Sequence, residues 1–537
     1  MKRLLAVVLA AAVFLLPCGC KKEEDKPEGK LFRYYIDAEP VTLDPQTASD
    51  QASLLVIENL YEGLVRLDEK NNPIPGAAES WESNSDHTVF TFRLREGLTW
   101  SDGTPLTASD FIYGMRRAVD PATRSPSWEQ LSCIRNAEQI HNGQMDVSLL
   151  GVSAPDDRTI TIELAYAYAS FPALTANAPY MPCKQAFFTE TRGKYGLESD
   201  SILGNGPFML RQKSGWVHDK YVRLVANENY CGEQPARPSG VMLTVSKQPE
   251  NVTEAILGDV IDAAPLPGDQ LEQAEDAGLP LVQFADTTWG VCFNTQKKGL
   301  NDANVRRAFL YSLNRETVLA VTPPHLTPTS DLIPPENTFL GDSYRKQAGP
   351  LSLPEYDSQK AAQSLAAGLE ALGLKELPTL TILCEDTFEM KSLANNLAAT
   401  WREGLNDYLA IEPVSAEELS KRIASGNYQI AITSITSPSA DPWDFLSLFS
   451  STADGNPAKY QSEAYDALLN TAAASAPQEE LALIRQAETM LVEDGVFYPL
   501  YSENHYYVTG PTVTNLVIRP FGGVVDFSRA GKLKLEE

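Results

Sequence analysis

Few residues in this chain are of types and spacings that could do chemistry. The five histidines (His87, His141, His218, His325, His505) are scattered along 537 residues and form no ligand cluster. There is no HExxH helix, Walker A loop, nucleophile elbow or paired-Cys zinc spacing. Gly204-Asn-Gly206-Pro207 begins like a dinucleotide loop, but Met209 stands where a third Gly belongs, and Pro207 lacks the N–H that would cradle phosphate. A structural turn is the expectation there. Asp68 to Gly76 lacks the alternating ligands of a calcium loop. Cys133, Cys183, Cys231, Cys292 and Cys384 are widely spaced and odd in number, so at least one thiol stays unpaired. The chain is therefore expected not to be an enzyme, and to need no cofactor and no metal. Asp441-Pro442-Trp443-Asp444 reads as a helix start, with Asp441 at the N-cap, Pro442 at N1 and Asp444 at N3.

Bulk composition narrows the class further. With 44 basic and 71 acidic residues the net charge is 44 − 71 = −27, which excludes nucleic acid as a partner because phosphate binding needs surplus Lys and Arg. The length implies two or three domains. Lys2 and Arg3 precede an uncharged apolar run, Leu4 to Leu16, too short to span a bilayer. It reads as a secretory signal peptide over 1–19. Pro17-Cys18-Gly19-Cys20 resembles a bacterial lipobox, with cleavage after Gly19 and lipid on Cys20, although Pro17 stands where Leu is usual. The polar stretch 20–30 suits a tether. The expected location is extracytoplasmic, anchored to the membrane through Cys20.

Strand-like and helix-like segments alternate, which indicates an α/β or α+β chain. Phe90, Phe92 and Leu94 share one face of a strand over Thr88 to Arg95, and Ile160, Ile162 and Leu164 repeat the pattern. Thr107 to Asp110 is a capping box for a helix with Phe111, Ile112, Met115, Ala118 and Val119 on one stripe. A helix from about Asp302 buries Val305, Ala308, Phe309, Ser312 and Leu313. Helices are expected around Leu365 to Leu372, Leu393 to Leu405 and Leu481 to Leu491, and strands over Thr379 to Leu383 and Tyr428 to Ile435.

An ordered set of short motifs carries a family resemblance. Glu39-Pro-Val-Thr-Leu-Asp-Pro45, Asn59-Leu-Tyr-Glu-Gly-Leu64, Pro75-Gly-Ala-Ala-Glu-Ser-Trp81, Trp100-Ser-Asp-Gly-Thr-Pro105, Thr107-Ala-Ser-Asp-Phe111 and Arg117-Ala-Val-Asp-Pro121 are followed by Gly204-Asn-Gly-Pro-Phe208 and Asn304-Val-Arg-Arg-Ala308. In this order they resemble the oligopeptide/dipeptide-binding proteins, family 5 of the ABC-importer solute receptors. Each motif also has a purely structural reading: tight turns, caps, and Trp81 packed between layers. The resemblance implies a bilobal, hinged α/β fold of the periplasmic-binding-protein type (type II, cluster C) with an extra inserted subdomain. Lobe I would comprise 31–76, 203–285 and 500–537, with the insertion at 77–202, and lobe II would be 286–499. It further implies a monomer that binds a peptide or peptide-like ligand as an added strand and docks on ABC permease subunits.

Ligand contacts implied by the resemblance fall on Val41, Trp128, Trp289, Ser434, Ile435, Thr436, Ser437 and Ser439. The sequence departs from the family in that region. Peptide binders commonly carry an Asp four residues before a Pro, paired with the ligand's α-ammonium; counting back from Pro442 lands on Pro438. Ile435 stands where an aromatic is usual, and the aromatic expected after Ser125-Pro126 is displaced to Trp128. Blocking the ligand's amine is therefore expected to cost little. The alternatives are an N-blocked or very hydrophobic peptide, a non-peptide solute received by the same fold, or a peptide-sensing receptor.

Overall fold

A computed structural model describes residues 31–211, 213–245, 251–320, 322–323, 325–453, 455–521 and 525–533. The signal segment, Cys20 and the tether lie outside the described residues.

One mixed sheet of twelve strands runs through the molecule. Its main path is Leu409–Val414, Leu380–Glu385, Ile430–Thr436, Leu281–Phe293, Phe497–Thr509, Ala263–Leu266, Phe32–Ile36, Gly240–Val245, Tyr221–Ala226 and Phe208–Leu210. The two central members, Leu281–Phe293 and Phe497–Thr509, are 13 residues each and pair antiparallel along most of their length. The C-terminal end of Phe497–Thr509 pairs with Ala263–Leu266 and the C-terminal part of Leu281–Phe293 pairs with Ile430–Thr436, so the antiparallel pair crosses from one half to the other. The pairing breaks register between Phe284 and Thr287 and again at Trp289/Gly290.

Hydrophobic burial divides the same way. One apolar cluster joins Phe32, Tyr34, Leu60 and Phe208 to Phe90, Phe92 and Phe111, and a smaller one around Val252, Ile256 and Leu279 covers the other sheet face. Two further clusters flank the opposite half, one built on Phe293, Phe309 and Trp401 and one on Phe445, Phe449 and Phe497. The fold is thus bilobal α/β, with two sheet-and-helix bodies joined by the crossing strands.

A separate four-stranded antiparallel sheet packs onto the first body, ordered Ala78–Ser83, Val89–Leu94, Thr159–Glu163, Val152–Asp156. The alternation read from the sequence holds, because Phe90, Phe92, Leu94, Ile160 and Ile162 are all buried. The helix Ala108–Val119 buries its expected stripe, and Asp110 accepts the Thr107 N–H at 2.9 Å. Gly114 in that helix allows close approach: a Cβ there would stand 2.3 Å from the Met181 carbonyl oxygen. Helix propensity alone would favour Gly114→Ala by about 1 kcal/mol. The clash with main chain reverses the sign, so urea denaturation should show Gly114→Ala less stable than the parent.

Other helices match in place; three begin earlier than the pattern indicated, and the one from Asp302 ends at Tyr311, before Ser312 and Leu313. Helices span Ala303–Tyr311, Ser358–Leu372, Phe388–Leu405 and Pro477–Glu493. Asp302 caps the first of these at 2.8 Å from the Asn304 N–H. Gly204 and Gly206 lie against the Leu60 main chain, which is why no side chain fits there and why the segment is a turn. All five cysteines in the described residues are free thiols.

Candidate functional site

The strand Ile430–Thr436 has one covered edge and one open edge. Its antiparallel register with the first crossing strand sets Thr436 opposite Thr287 and Ser434 opposite Trp289. The Ser437 N–H donates to the Asp286 carbonyl at 2.9 Å. Alternate residues of an antiparallel strand turn their N–H and C=O groups to opposite sides. Ser434 and Thr436 therefore direct main-chain donors and acceptors away from the crossing strand. On that other side the parallel strand Leu380–Glu385 pairs only at Ile430 and Ala431. Beyond Ala431 no strand among the described residues pairs with this edge, Ser434 is half-buried and Thr436 exposed.

Side chains fix this edge from behind. The Thr287 and Thr436 hydroxyls are hydrogen-bonded at 2.9 Å. Asn337 Nδ2 donates to Ser437 Oγ at 2.9 Å and to the Ser439 carbonyl at 3.0 Å. Ser437 Oγ also donates to the Ser439 carbonyl, at 2.8 Å. The chain then enters the helix Pro442–Ser447, capped as expected by Asp441, which accepts the Trp443 N–H at 2.8 Å.

Asp444 does not do what its N3 position implied. Its carboxylate is engaged by the Ser439 hydroxyl and by the Tyr168 hydroxyl, the latter at 2.6 Å, instead of by helix N–H groups. The physical reason is that Tyr168 comes from the other body, where the segment after the small sheet lies against this helix end. Tyr166 and Tyr168 pack on the Trp443 indole at 5.9 and 5.3 Å between ring centres, and the Ser170 hydroxyl hydrogen-bonds Asp441. A second contact between the bodies is made by the hairpin tip Leu340–Gly341. Both residues have positive φ (52° and 83°), and a Cβ on Gly341 would stand 3.2 Å from Asn72 Oδ1.

These two contacts flank a cavity of about 630 Å³. Trp81, Leu174, Phe339, Leu340 and Phe521 give it apolar walls, and Pro438, Ser439, Asp441, Asp444 and Glu480 give it a polar end. Trp81 thus stacks on Phe92 with one face and meets the cavity, instead of being sealed between layers. Burial is the main cause raising the Asp441 and Asp444 carboxyls above the ordinary carboxylate range, and for Asp444 the neighbouring Asp441 adds to it. Glu480 is pushed up to about 7, by burial first and by Asp441 second. An acid whose folded value exceeds its unfolded one contributes stability present at low pH and lost as pH rises through the folded value. The unliganded protein is therefore expected to melt lower at pH 8 than at pH 5. His505, held above its ordinary value by its hydrogen bond to Asp286, acts in the same direction. Glu480→Gln isolates the cavity's share: its melting temperature should fall less across that pH range than the parent's.

The residues implied by the resemblance separate into two groups. Ser434, Thr436, Ser437 and Ser439 come together along the open edge and the cavity, beside Trp289 on the paired strand. The Trp289 indole is buried and donates to Glu503 Oε2 at 2.7 Å, and the Ile435 side chain points into the core of the same body. Val41 belongs to the other body and is 72% exposed. Trp128 stacks face to face on His141 at 3.9 Å, within the unit that carries the small sheet. Sequence reasoning missed Tyr168, Ser170, Leu340 and Glu480. Leu340 beside Gly341 was the one local signal, since a β-hairpin tip with positive φ disfavours Leu. Among the described residues no group of three or more His, Cys, Asp or Glu could hold a metal ion.

Two bodies joined by crossing strands, with an open sheet edge and a cavity where they face each other, define a hinged solute receptor. The chain belongs to the bacterial extracellular solute-binding proteins, family 5, whose middle-region model matches residues 72–457. It is 26% identical to the oligopeptide-binding protein OppA of Bacillus subtilis over 99% of both chains. It is 30% identical to the periplasmic murein peptide-binding protein MppA of Escherichia coli, covering 87% of this chain and 86% of that one. Among solved structures, Listeria monocytogenes OppA bound to peptide superposes with a TM-score of 0.73 at 26% identity, covering 94% of this chain and all of that one.

Proposed function

We propose that this chain is a lipid-anchored, extracytoplasmic receptor that captures an extended peptide or peptide-like solute between its lobes and delivers it to an ABC permease. The observation that carries the reading is the open edge of Ile430–Thr436, where Ser434 and Thr436 offer main-chain groups to an added strand. Main-chain recognition suits a receptor for many sequences, because side chains then need only loose pockets. The names of the relatives, peptide-binding proteins in each case, support the same reading. On this view 31–76, 203–285 and 500–537 form lobe I, 77–202 its inserted subdomain and 286–499 lobe II, acting as a monomer. No catalytic step is assigned to it.

Two measurements test the reading. Native mass spectrometry of freshly purified protein should find a co-purified peptide mass, and X-ray scattering should give a smaller radius of gyration with that ligand than without it. An unchanged radius at saturation would overturn the hinged-capture reading. The anchor is tested separately: the mature protein should begin at Cys20 and carry acyl chains, two or more of which bind a membrane stably. A mature mass without acyl chains would remove the lipid from the proposal.

A further inference from the structure

The open edge does not end in solvent. It runs from Ser434 through Thr436 to Pro438, which has no N–H to offer, and the next residues, Ser439 to Asp441, are wall of the cavity. An extended ligand paired with this edge must leave the ladder at Pro438, and the space it meets there is the cavity of about 630 Å³. A volume of this order is that of an ordinary small-ligand pocket, so it has room for the end of a peptide.

The walls are uneven in chemistry. Trp81, Phe339, Leu340 and Phe521 are apolar, and Leu340 is kept 73% exposed on a positive-φ hairpin tip facing this space. At the other end lie Asp441, Asp444 and Glu480, with no Lys or Arg among the described lining residues. His87, exposed and bonded through Nδ1 to the Ser83 hydroxyl, is the lining residue able to carry positive charge. Asp441 and Asp444 have partners, but the Glu480 carboxylate has neither a hydrogen bond nor an ion pair among the described residues, and only burial and Asp441 act on it.

We propose that this cavity is a ligand subsite continuous with the open edge, and that it selects a ligand whose end carries an ammonium or guanidinium group on an apolar stem, with Glu480 and Asp441 as the charge partners. This rests on the peptide reading above. A cation there offsets the repulsion between Asp441 and each of Asp444 and Glu480 and lets Glu480 ionise, while the stem covers Trp81 and Leu340. The cation can be the ligand's α-ammonium or its first side chain. Glu480 sits on the helix Pro477–Glu493, some forty residues beyond Pro438, so a carboxylate absent from the strand is supplied from elsewhere in the lobe.

The test uses calorimetry at pH 7.5 with the full mature chain and four alanine-based pentapeptides. They carry lysine or norleucine at the first position, each free and N-acetylated. The peptide with no cation, acetylated norleucine, should bind at least about tenfold more weakly than the best cationic one, the scale of a charge-assisted bond. In the Glu480→Gln/Asp441→Asn variant, which keeps an Asn cap at 441, that ratio should fall below about threefold. Comparing free norleucine with acetylated lysine tells which cation enters, and a large loss on acetylating norleucine replaces the expectation drawn from Pro438. Equal binding of all four peptides overturns the subsite, as does a ratio that survives the double variant. Phenethylammonium is the probe if none of the peptides binds. Binding of this amine that the double variant abolishes keeps the cation site and removes the peptide reading, and no binding removes both.

Discussion

Arg117→Met is expected to lower folding stability by about 3–5 kcal/mol, the range for removing one member of a buried ion pair. Arg117 Nη2 lies 2.7 Å from Asp44 Oδ2 and Nη1 lies 3.1 Å from Oδ1, a two-pronged contact with both side chains under 10% exposed. Nη1 also donates to Gln46 Oε1 at 2.7 Å, and the guanidinium carbon sits 3.9 Å over the Phe188 ring. Methionine would fill the space but leave Asp44 buried without its cation, and that desolvated carboxylate is the larger part of the loss. Pairing Arg117→Met with Asp44→Asn should therefore recover part of it, which a double-mutant cycle by urea denaturation reads as an interaction energy. Arg117→Lys should be intermediate, because an ammonium cannot make the fork or stack on Phe188 in the same way. If Arg117→Met costs less than about 1 kcal/mol, the pair is at the level of a surface contact and the assignment fails.

The same pair explains why the fold was legible from a single sequence. Asp44 belongs to the Glu39–Pro45 motif and Arg117 to the Arg117–Pro121 motif, 73 positions apart in the chain. Neither contacts the open edge; they tie the loop carrying Val41 to the helix Ala108–Val119, so such motifs mark a shared scaffold. Secondary structure was equally readable where one face is buried, as at Phe90, Phe92 and Leu94, because period-two and period-3.6 patterns are local. The cavity was not readable, since its walls come from seven separate segments and nothing in Tyr168 or Glu480 taken alone announces a wall. Asp444 was misread for the same reason. Its local context is that of a helix first turn, and only the arrival of Tyr168 from the other body redirects the carboxylate. The edge itself lay between these cases: its residues were located through the resemblance, but which of them face outward needed the register with Thr287.

That register leads to the second large effect. Thr436→Pro is expected to weaken binding of the alanine-based pentapeptides by about 1–3 kcal/mol, or about 5- to 150-fold. Thr436 turns its N–H to the unpaired side of the strand, so proline removes a donor that no other strand uses and its ring blocks the approach of a ligand carbonyl. The ligand's acceptor is then buried unpaired, which costs more than the net value of the bond that is lost. Proline is tolerated on open sheet edges, so the variant should remain folded by circular dichroism. It also loses the Thr287–Thr436 hydroxyl bond, and Thr436→Val loses the same bond while keeping the N–H. The ratio of affinities between the proline and valine variants therefore isolates the main-chain donor. A ratio near one would mean that the ligand does not add to this edge, and that Ser434 and Thr436 are framework of the lobe with no part in recognition.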